Sequence, residues 1–365
     1  MPIFMDIHYV PGIEARNAAE AHQQDILIQH DYKCKCMTYW IDEPRGVVFC
    51  LIEGPDKQVV EEMHKNSHGL IPSKIIEVNN ELVESFLGRI TDPEDAEISD
   101  KGLRIINDSA FRVLMVSDMI DPVLLKLRLG EEKTTELLSL LSNVVRENLL
   151  LHGGREVEYH GNGFIASFTS ASKAASCALD IQKKISPDNR TIAGFYTGLS
   201  AGEPIAESNR LFGDTIRLGK RLCTIAKNKI AIAANVKDLL ARDYHQLGQD
   251  NFISLTTQDE ELLQLLFDKL EKNWQDPDFT VPEFCRSVSM SNSGLYRTTT
   301  AFWGLSPKLL LSEYRLEKAR ELLKKQSLNI SQTTFDAGFS SPSYFTKCFK
   351  KKFGIIPAMY LDALQ

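Results

Sequence analysis

Residues 330–354 read ISQTTFDAGFSSPSYFTKCFKKKFG, and this stretch decides the fold of the C-terminal part of the chain. Ser331 and Ser341 are predicted to cap the N-termini of two short helices, and Pro342 suits the first turn of the second. Gly338 lies in the turn between them, where glycine readily takes a positive φ. The helical spacing predicts one buried side, formed by Phe335, Phe345, Cys348, Phe349 and Phe353. The outward side of the second helix then carries Ser343, Thr346, Lys347, Lys350 and Lys351.

A similar pair of short helices is predicted upstream, between residues 280 and 302. Thr280 and Glu283 have the spacing of a capping box, and Ser291 is the predicted N-cap of the second helix. The outward side of that helix carries Asn292, Ser293, Tyr296, Arg297 and Thr300. A long helix from Pro307 to about Lys325 joins the two pairs. Two short helices with a tight turn, the second polar on one side, have a shape that fits a DNA major groove.

The charge distribution favours a polyanionic partner for this part of the chain. From Cys285 onward there are twelve basic and five acidic residues, a formal charge of +7, although the whole chain carries −7. The remainder therefore carries −14. Lysines of the last helix pair can neutralise phosphates, and the hydroxyls of Ser341 and Ser343 can reach base edges. A solvated helical face that binds no polyanion is the alternative interpretation of the charge.

An ordered series of motifs in residues 259–365 resembles the AraC/XylS family of transcription regulators. The series consists of RLEKARELL (315–323), AGFS (337–340), SYF (343–345), FKKKFG (349–354), Pro357 and Tyr360. The resemblance implies two helix-turn-helix units on one rigid linking helix, which enter successive major grooves of double-stranded DNA. The first unit departs from the family pattern at Ser289, Gly294 and Thr298-Thr299. We therefore expect the second unit to carry more of the affinity.

Residues 104–248 alternate predicted strands and helices, which is the pattern of an α/β layer fold. Their motifs resemble the landmarks of class III adenylate/guanylate cyclase domains, in the order VLMVSD (113–118), HGGR (152–155), GNGF (161–164) and FGDT (212–215). Active members need two carboxylates for two metal ions, and an Asn–Arg pair. By resemblance, Asp118 is the first metal carboxylate and Arg221 is the catalytic arginine. Asn162 replaces the second carboxylate, Glu158 the base-reading lysine, and Arg217 the catalytic asparagine.

The missing groups predict a degenerate cyclase domain that is not an enzyme. An amide is a poorer ligand for a hard cation than a carboxylate. Each loss is expected to slow the reaction by about 100-fold or more. Active cyclases of this class are dimers, so we expect the domain to form a homodimer or to bind a nucleotide or another small effector. The alternative is a cyclase-type signalling enzyme with a DNA-binding tail.

Residues 1–90 read strand, helix, strand, strand, helix, strand, which is the order of a ferredoxin-like α+β sandwich. A polar stretch from Thr91 to Asp100 reads as a linker. His64 and His68 are four residues apart and share one helix face, while Asp6 and His8 share one strand face. Imidazole and thiolate ligands suit nickel, zinc or copper. For each histidine alone, a solvated or core-edge position is the favoured interpretation, because no local ligand quartet is present.

The same segment resembles a small family of ferredoxin-like nickel-binding proteins. The similar stretches are FMDIH (4–8), AEAH (19–22), YWID (39–42), GVVFCL (46–51) and His64. The resemblance implies metal binding through His8, His22 and His64. His68 is a fourth candidate ligand because of its spacing from His64. We expect the cofactor to be a transition metal, nickel or zinc.

The composition excludes several classes of protein. Hydrophobic residues make up 43% of the 365 residues and charged residues 25%, as in soluble globular proteins. The apolar runs are far shorter than the ~20 residues of a membrane span, and the N-terminus has no basic secretory segment. Seven scattered cysteines favour a reducing cytoplasm. We therefore expect a cytoplasmic multi-domain transcription regulator that senses a metal or small effector, with a metal-handling protein as the alternative.

Overall fold

The structure is a computed structural model that describes residues 1–100, 102–159, 163–241, 243–325 and 329–364. Along the chain it forms a four-stranded sheet, a six-stranded sheet and a group of helices. This order confirms the prediction of a ferredoxin-like domain, a sheet-containing middle domain and an all-helical C-terminal domain. Within the described ranges, no helix combines the length and apolarity needed to cross a membrane.

The N-terminal domain has ferredoxin-like topology. Its elements are β1 (Ile3–Tyr9), α1 (Ala15–Ile28), β2 (Lys35–Asp42), β3 (Val47–Glu53), α2 (Lys57–Ser67), β4 (Lys74–Val78) and α3 (Asn80–Leu87). The strand order is β2-β3-β1-β4, and β1 is antiparallel to both β3 and β4. Helices α1 and α2 cover one face of the sheet, with Phe4, Ile52 and Val60 in the shared core. Helix α3 was not predicted; the Asn79 side chain caps it by accepting two backbone N–H groups.

The predicted linker packs against the N-terminal domain instead of remaining free. It includes β5 (Glu97–Ile98), which forms a short hairpin with β6 (Arg104–Ile105) just beyond it, and β6 contacts α1. Ile106 is buried in the core beside α1. The backbone N–H of Ile41 donates to the carbonyl of Asp108 at 2.9 Å. The apolar residues that follow the polar stretch therefore anchor this segment to the N-terminal domain.

The middle domain is built on a six-stranded sheet. Its elements are β7 (Arg112–Asp118), α4 (Pro122–Leu129), α5 (Glu131–His152), β8 (Arg155–Tyr159), β9 (Gly163–Phe168), α6 (Ala171–Lys184), α7 (Pro187–Ala193), β10 (Tyr196–Gly202), α8 (Gly213–Ala226), β11 (Ile230–Ile232), α9 (Ala234–Leu240), α10 (Asp243–Gln246) and β12 (Phe252–Ser254). The strand order is β12-β11-β10-β7-β9-β8. Helices α5 and α6 share a core with β7 through Met115, Leu141 and Cys177. The strand predicted from residue 191 begins later, because Ser186 caps the short helix α7.

The C-terminal domain is helical throughout its described residues, as predicted. Its elements are α11 (Thr257–Asn273), α12 (Val281–Ser287), α13 (Asn292–Trp303), α14 (Pro307–Lys324), α15 (Ile330–Asp336), α16 (Pro342–Phe353) and α17 (Pro357–Asp362). Helix α14 packs with the first helix pair through Leu310 and Leu311. It packs with the second pair through Leu316, Ala319 and Leu323. Because its two ends lie in separate cores, α14 fixes the spacing between α13 and α16.

The N-terminal and middle domains share a hydrophobic core. The sheet face that α1 and α2 leave open packs against the middle domain, with Met5, Ile7, Leu114 and Phe212 in one buried cluster. Burial of apolar surface is the main term that holds such an interface together. At its edge, the Lys74 ammonium donates to the backbone carbonyls of residues 206–208 at 2.7–3.0 Å. The two domains therefore form one unit.

The C-terminal domain docks on the middle domain beside the end of β7. Leu124 of α4 lies in the core of the second helix pair. Asp121, the N-cap of α4, has a fully buried carboxylate. Arg320 lies 2.5 Å from that carboxylate, Lys324 lies 3.1 Å away, and the Tyr360 hydroxyl donates to it at 3.2 Å. One buried negative charge thus joins the two domains.

Candidate functional site

Helix α13 exposes the side that the sequence predicts. Its N-cap Ser291 accepts a hydrogen bond from the backbone N–H of Gly294 at 3.1 Å. Leu295 and Thr299 are buried on the opposite side. All five predicted contact residues are exposed, namely Asn292, Ser293, Tyr296, Arg297 and Thr300. In the preceding turn Ser289 has a φ of 55°, so a serine stands where glycine would be unstrained.

Helix α16 has the predicted buried and exposed sides. Gly338 in the preceding turn has a φ of 73°, and a Cβ there would lie 2.5 Å from the carbonyl oxygen of Trp274. Ser341 caps the helix by accepting from the backbone N–H of Tyr344 at 3.4 Å. The buried side is formed by Phe345, Phe349 and Phe353. Ser343, Lys347, Lys350 and Lys351 are exposed, and Ser341 and Thr346 are half-buried.

Lysines give the exposed side of α16 a positive charge. Among the described residues, no ion pair includes Lys347, Lys350 or Lys351, whereas Lys352 pairs with Glu313 and Glu317 of α14. Cations near a helix C-terminus also interact favourably with the helix dipole. Three exposed ammonium groups can therefore meet a phosphate backbone without first breaking an ion pair.

Some local predictions in this domain are wrong. Phe335, predicted to be buried, is 52% exposed, because the buried threonines at 333–334 take the inward positions of α15. The N-cap of α15 is Asn329 and not Ser331, and Asn329 forms a capping box with the third residue of the helix. Thr280 is the N-cap of α12 but makes no side-chain hydrogen bond, so the predicted capping box is absent there.

A candidate metal centre lies between the sheet and the helices of the N-terminal domain. Strand β1 contributes Asp6 and His8, whose side chains share the face toward the helices because strand side chains alternate. Helix α2 contributes His64, and His68, one turn further on, is the C-cap of the same helix. Asp25 of α1 and Cys50 of β3 complete the cluster. The structure thus brings together three of the four predicted histidines.

His64 is the fully buried centre of this cluster. Its Nε2 is 2.9 Å from Oδ2 of Asp6, and its Nδ1 is 3.1 Å from Oδ2 of Asp25. The same Nδ1 is 3.0 Å from Nε2 of His68. His8 Nε2 is 3.2 Å from Oδ1 of Asp6. Two overlapping groups have ligand atoms within 4.8 Å of one another: Asp6, His8, Cys50 and His64, and Asp25, His64 and His68.

Burial and opposite charges shift the pKa values in this cluster. Burial alone would raise the pKa of Asp6, but the charges of His64 and His8 outweigh it and hold that pKa well below its usual value. The pKa of Asp25 falls to about 2, because hydrogen bonds from His64 and His68 outweigh burial in the same way. Burial would lower the pKa of His64, whereas Asp6 and Asp25 raise it to about 10. In this form His64 carries a proton that a bound metal ion would displace.

Unpaired polar atoms in the cluster fit a metal ion. Both ring nitrogens of His8, Oδ1 of Asp6 and Oδ1 of Asp25 are buried without an aligned hydrogen-bond partner among the described residues. Such atoms are costly to bury. Imidazole, carboxylate and thiolate groups are the donors that nickel and zinc accept. A cavity of about 20 Å³ adjoins His8, Asp25 and His68.

His22 lies beside the cluster and belongs to neither ligand group. It lines the same small cavity. Its Nε2 is 3.5 Å from Oδ2 of Asp92, and its ring centroid is 5.1 Å from that of Tyr39. Its role as a ligand stays a prediction. Asp25 was missed by the sequence analysis, although it follows His22 at the spacing of one helix face.

Among the described residues suggested by the cyclase resemblance, Asp118 and Arg221 do not share one site. Asp118 is exposed at the end of β7, in a cavity of about 600 Å³ between the middle and C-terminal domains. Arg221 does not line that cavity; it is 3% exposed and pairs with Asp268 at 2.6 Å and Glu271 at 3.2 Å. Both partners belong to α11, so Arg221 holds α11 against the middle domain. Asn162 lies outside the described residues.

Two family models match the ends of the chain. A helix-turn-helix domain model matches residues 284–363, and a model described as nickel responsive protein SCO4226-like matches residues 4–78. Histidine kinase P4 of Formosa agariphila is 36% identical over 108 residues, which are 30% of this chain and 8% of that protein. The HTH-type transcriptional regulator ExsA of Pseudomonas aeruginosa is 31% identical over 104 residues, 28% of this chain and 36% of that protein.

The crystal structure of SCO4226 from Streptomyces coelicolor is 32% identical and covers 21% of this chain and 94% of its own, with a TM-score of 0.20. The chain spans well under half the length of the two curated relatives. The two family models match where the sequence resemblances were predicted, while the likeness of the middle domain to cyclases stays a prediction. The chain therefore begins with a domain of the SCO4226-like nickel-responsive type and ends in an AraC-type helix-turn-helix domain.

Proposed function

We propose that the chain is a DNA-binding transcription regulator that responds to a transition metal, nickel or zinc. The observation that carries the proposal is the pair of helix-turn-helix units on α14, each with an exposed polar side. The similarity to the HTH-type transcriptional regulator ExsA supports this assignment. In this proposal the middle domain connects the metal-binding domain to the DNA-binding domain and has no cyclase activity. Its Arg221 forms an ion pair with α11 and is not available for catalysis.

In this proposal α13 and α16 enter successive major grooves of one duplex. Lys347, Lys350 and Lys351 neutralise phosphates, since they are exposed and outside the ion pairs of the described residues. Arg297 on α13 is the candidate for reading a guanine, because its guanidinium can donate two parallel hydrogen bonds to that base. A homodimer, expected from the cyclase resemblance, would double these contacts on a palindromic site.

The metal would bind within the cluster around His64. The side chains that would hold it are Asp6, His8, Asp25, Cys50, His64 and His68. Several buried atoms of these groups lack an aligned hydrogen-bond partner among the described residues, and a cation would satisfy them. The ion serves here as an effector and supplies charge and coordination to the space between β1 and α2. His22 would stand at the edge of that site.

A path from the metal cluster to the DNA-binding domain runs through β1 and β7. Asp6 and His8 face the cluster, while Met5 and Ile7, which alternate with them along β1, face the middle domain. Met5 and Ile7 share a core with Leu114 of β7, and the segment after β7 carries Asp121 with its contacts to α14 and α17. A shift of β1 on metal binding would therefore reach the linking helix through packed side chains. Couplings of this kind typically change affinity by about 5- to 150-fold.

The test is selection of bound duplexes from random DNA by the full chain, followed by anisotropy titrations with and without NiCl2 or ZnCl2. We expect salt-sensitive binding to a preferred sequence and a metal-dependent change in its affinity. His64→Ala should abolish the metal effect and leave the metal-free DNA affinity unchanged. His30→Ala, at an exposed histidine outside the cluster, is the matched control. Absence of salt-sensitive binding to any duplex would contradict the DNA-binding role, and a metal effect that survives His64→Ala would contradict the sensing role.

A further inference from the structure

A cavity of the middle domain lies at the start of β10, and we name it the β10 cavity. Its walls come from the end of α6, from α7, from the start of β10 and from the loop between α8 and β11. We propose that the β10 cavity is an anion site, which binds a phosphate group through Arg190, Lys227 and Lys229. Any consequence for DNA binding depends on the proposed function, but the binding of the phosphate group does not.

The charged side chains that line the β10 cavity are all cationic. They are Arg190, Lys227 and Lys229, and no acidic side chain of the described residues lines the cavity with them. Within the described ranges, none of the three takes part in an ion pair. Positive charges gathered without a counter-charge repel one another, and an anion between them removes that repulsion. The electrostatics of the cavity therefore favour an anionic ligand.

Arg190 offers a hydrogen-bond donor that has no acceptor. Its Nε is buried and has no hydrogen-bond partner among the described residues. Burial lowers the pKa of Arg190, and no acidic group of the described residues opposes that shift. A buried donor without an acceptor is costly, and a guanidinium can donate two parallel hydrogen bonds to a phosphate group. The phosphate oxygens would thus supply the acceptors that Arg190 lacks.

Lys227 adopts a backbone conformation that favours glycine. It is the C-cap of α8, with a φ of 48° and a ψ of −121°. Glycine would take this conformation with less strain, but it would place no ammonium group on the wall of the cavity. Strained residues of this kind cluster at binding sites. The same loop brings Lys229 to the cavity two residues later.

The size of the β10 cavity limits what it can hold. Its volume is about 10 Å³, which is little more than the space that a water molecule needs. It can therefore take the oxygens of one small group and not a whole organic molecule. Lys227, Lys229 and Tyr196 are exposed, so the rest of a phosphate ester can remain in solvent. Inorganic phosphate and a phosphate monoester share the group that the site would recognise.

Lys227 also connects the β10 cavity to the C-terminal domain. It lines the larger cavity between the middle and C-terminal domains, and a Cβ at Gly304 would lie 3.8 Å from its Nζ. Gly304 is the C-cap of α13. Just before Lys227 in the chain, the Thr224 hydroxyl accepts a hydrogen bond from Nε1 of Trp303 at 2.9 Å. A phosphate group that attracts the Lys227 ammonium would therefore change the surroundings of the end of α13.

Calorimetric titration of the full chain with sodium phosphate, and in parallel with phenyl phosphate, tests this assignment without DNA and at constant ionic strength. We expect both compounds to bind saturably. Tighter binding of phenyl phosphate would indicate a monoester as the ligand, and equal affinities would indicate inorganic phosphate. Arg190→Gln should weaken phosphate about 10-fold, the size of one charged hydrogen bond. Lys229→Gln should weaken it about 3-fold, because the lysine is exposed.

Lys133→Gln, at an exposed lysine of α5 outside the β10 cavity, is the matched control and should leave the affinity unchanged. Absence of saturable binding of both compounds, or phosphate affinity that is unchanged in both Arg190→Gln and Lys229→Gln, would overturn the proposal. A lower salt dependence of duplex binding in Arg190→Gln, without binding of either compound, would also overturn it, since these cations would then contact DNA. Because DNA takes no part in the calorimetry, failure of DNA binding leaves the phosphate result intact.

Discussion

Removal of the Asp121 carboxylate is expected to loosen the C-terminal domain from the middle domain. The carboxylate is fully buried, caps α4 by accepting from the backbone N–H of Val123 at 2.9 Å, and contacts Arg320, Lys324 and Tyr360. Loss of an N-cap costs about 1 kcal/mol. Removal of one partner from a buried ion pair costs about 3–5 kcal/mol, because the other charge stays behind. Arg320 retains Glu317, and Lys324 is 47% exposed, so we expect the lower end of that range.

Two substitutions separate the cap from the charge. Asp121→Asn keeps an N-cap of similar strength and removes the charge, and should lower the free energy of unfolding by about 3 kcal/mol. Asp121→Ala removes both, and should lower it by about 4 kcal/mol. Asp56→Ala, at an exposed N-cap whose side chain accepts from the backbone N–H of Val59, is the matched control and should cost about 1 kcal/mol. Urea unfolding of the full chain measures all three.

Amide hydrogen exchange identifies which part of the chain the Asp121 substitutions destabilise. In Asp121→Asn the amides of α4 and α14 should exchange faster, while those of the N-terminal sheet should not, because they belong to a different core. The reasoning is refuted if Asp121→Asn unfolds at the urea concentration of the wild type while Asp121→Ala loses only the capping energy. That result would mean that apolar packing around α4 alone holds the two domains together.

Other expected outcomes concern the DNA interface and the cavity. Lys350→Ala should weaken binding to every duplex alike and reduce the slope of log affinity against log salt by about 1, as anisotropy titrations at several salt concentrations would show. Arg297→Ala should cost about 1–3 kcal/mol and relax specificity at one base pair, and an unchanged selected sequence would contradict the orientation of α13. Desolvation by the cavity walls raises the pKa of Asp118 to about 6, although part of the residue is exposed, so the folded chain binds this proton more tightly than the unfolded chain does. The wild type should therefore lose stability relative to Asp118→Asn as pH rises from about 4 to 6, and parallel urea-unfolding curves across this range would argue against the shift.

The helix-turn-helix units and the ferredoxin-like order were predictable because their determinants are local. The Ser341 cap, the Gly338 turn and the spacing of Phe345 and Phe349 all lie within one short stretch, and the structure confirms each. The prediction for Phe335 is wrong for an equally local reason. A threonine can bury its methyl group and return its hydroxyl to the backbone, as Thr334 does by donating to the carbonyl of Ile330 at 2.8 Å.

The metal cluster was predictable only in part. The spacing of His64 and His68 indicates a shared helix face, but Asp25 reaches them from a helix far away in the sequence. The contacts between domains could not be predicted, because they correspond to no local pattern in the sequence. Arg221 matched a catalytic position, whereas its partner Asp268 belongs to a helix that the sequence assigned to another domain. Asp121 before Pro122 reads as an ordinary helix cap, and nothing nearby in sequence indicates its ion pairs.

The shared core of the first two domains limits how the chain can be divided. A truncated chain that begins at residue 104 would lack the N-terminal sheet that packs on Leu114, Ile165 and Phe212. A broad apolar face would then be exposed to water. Such a fragment should self-associate even though its own sheet is intact. Exchange of sensory parts between regulators should therefore keep the first two domains together.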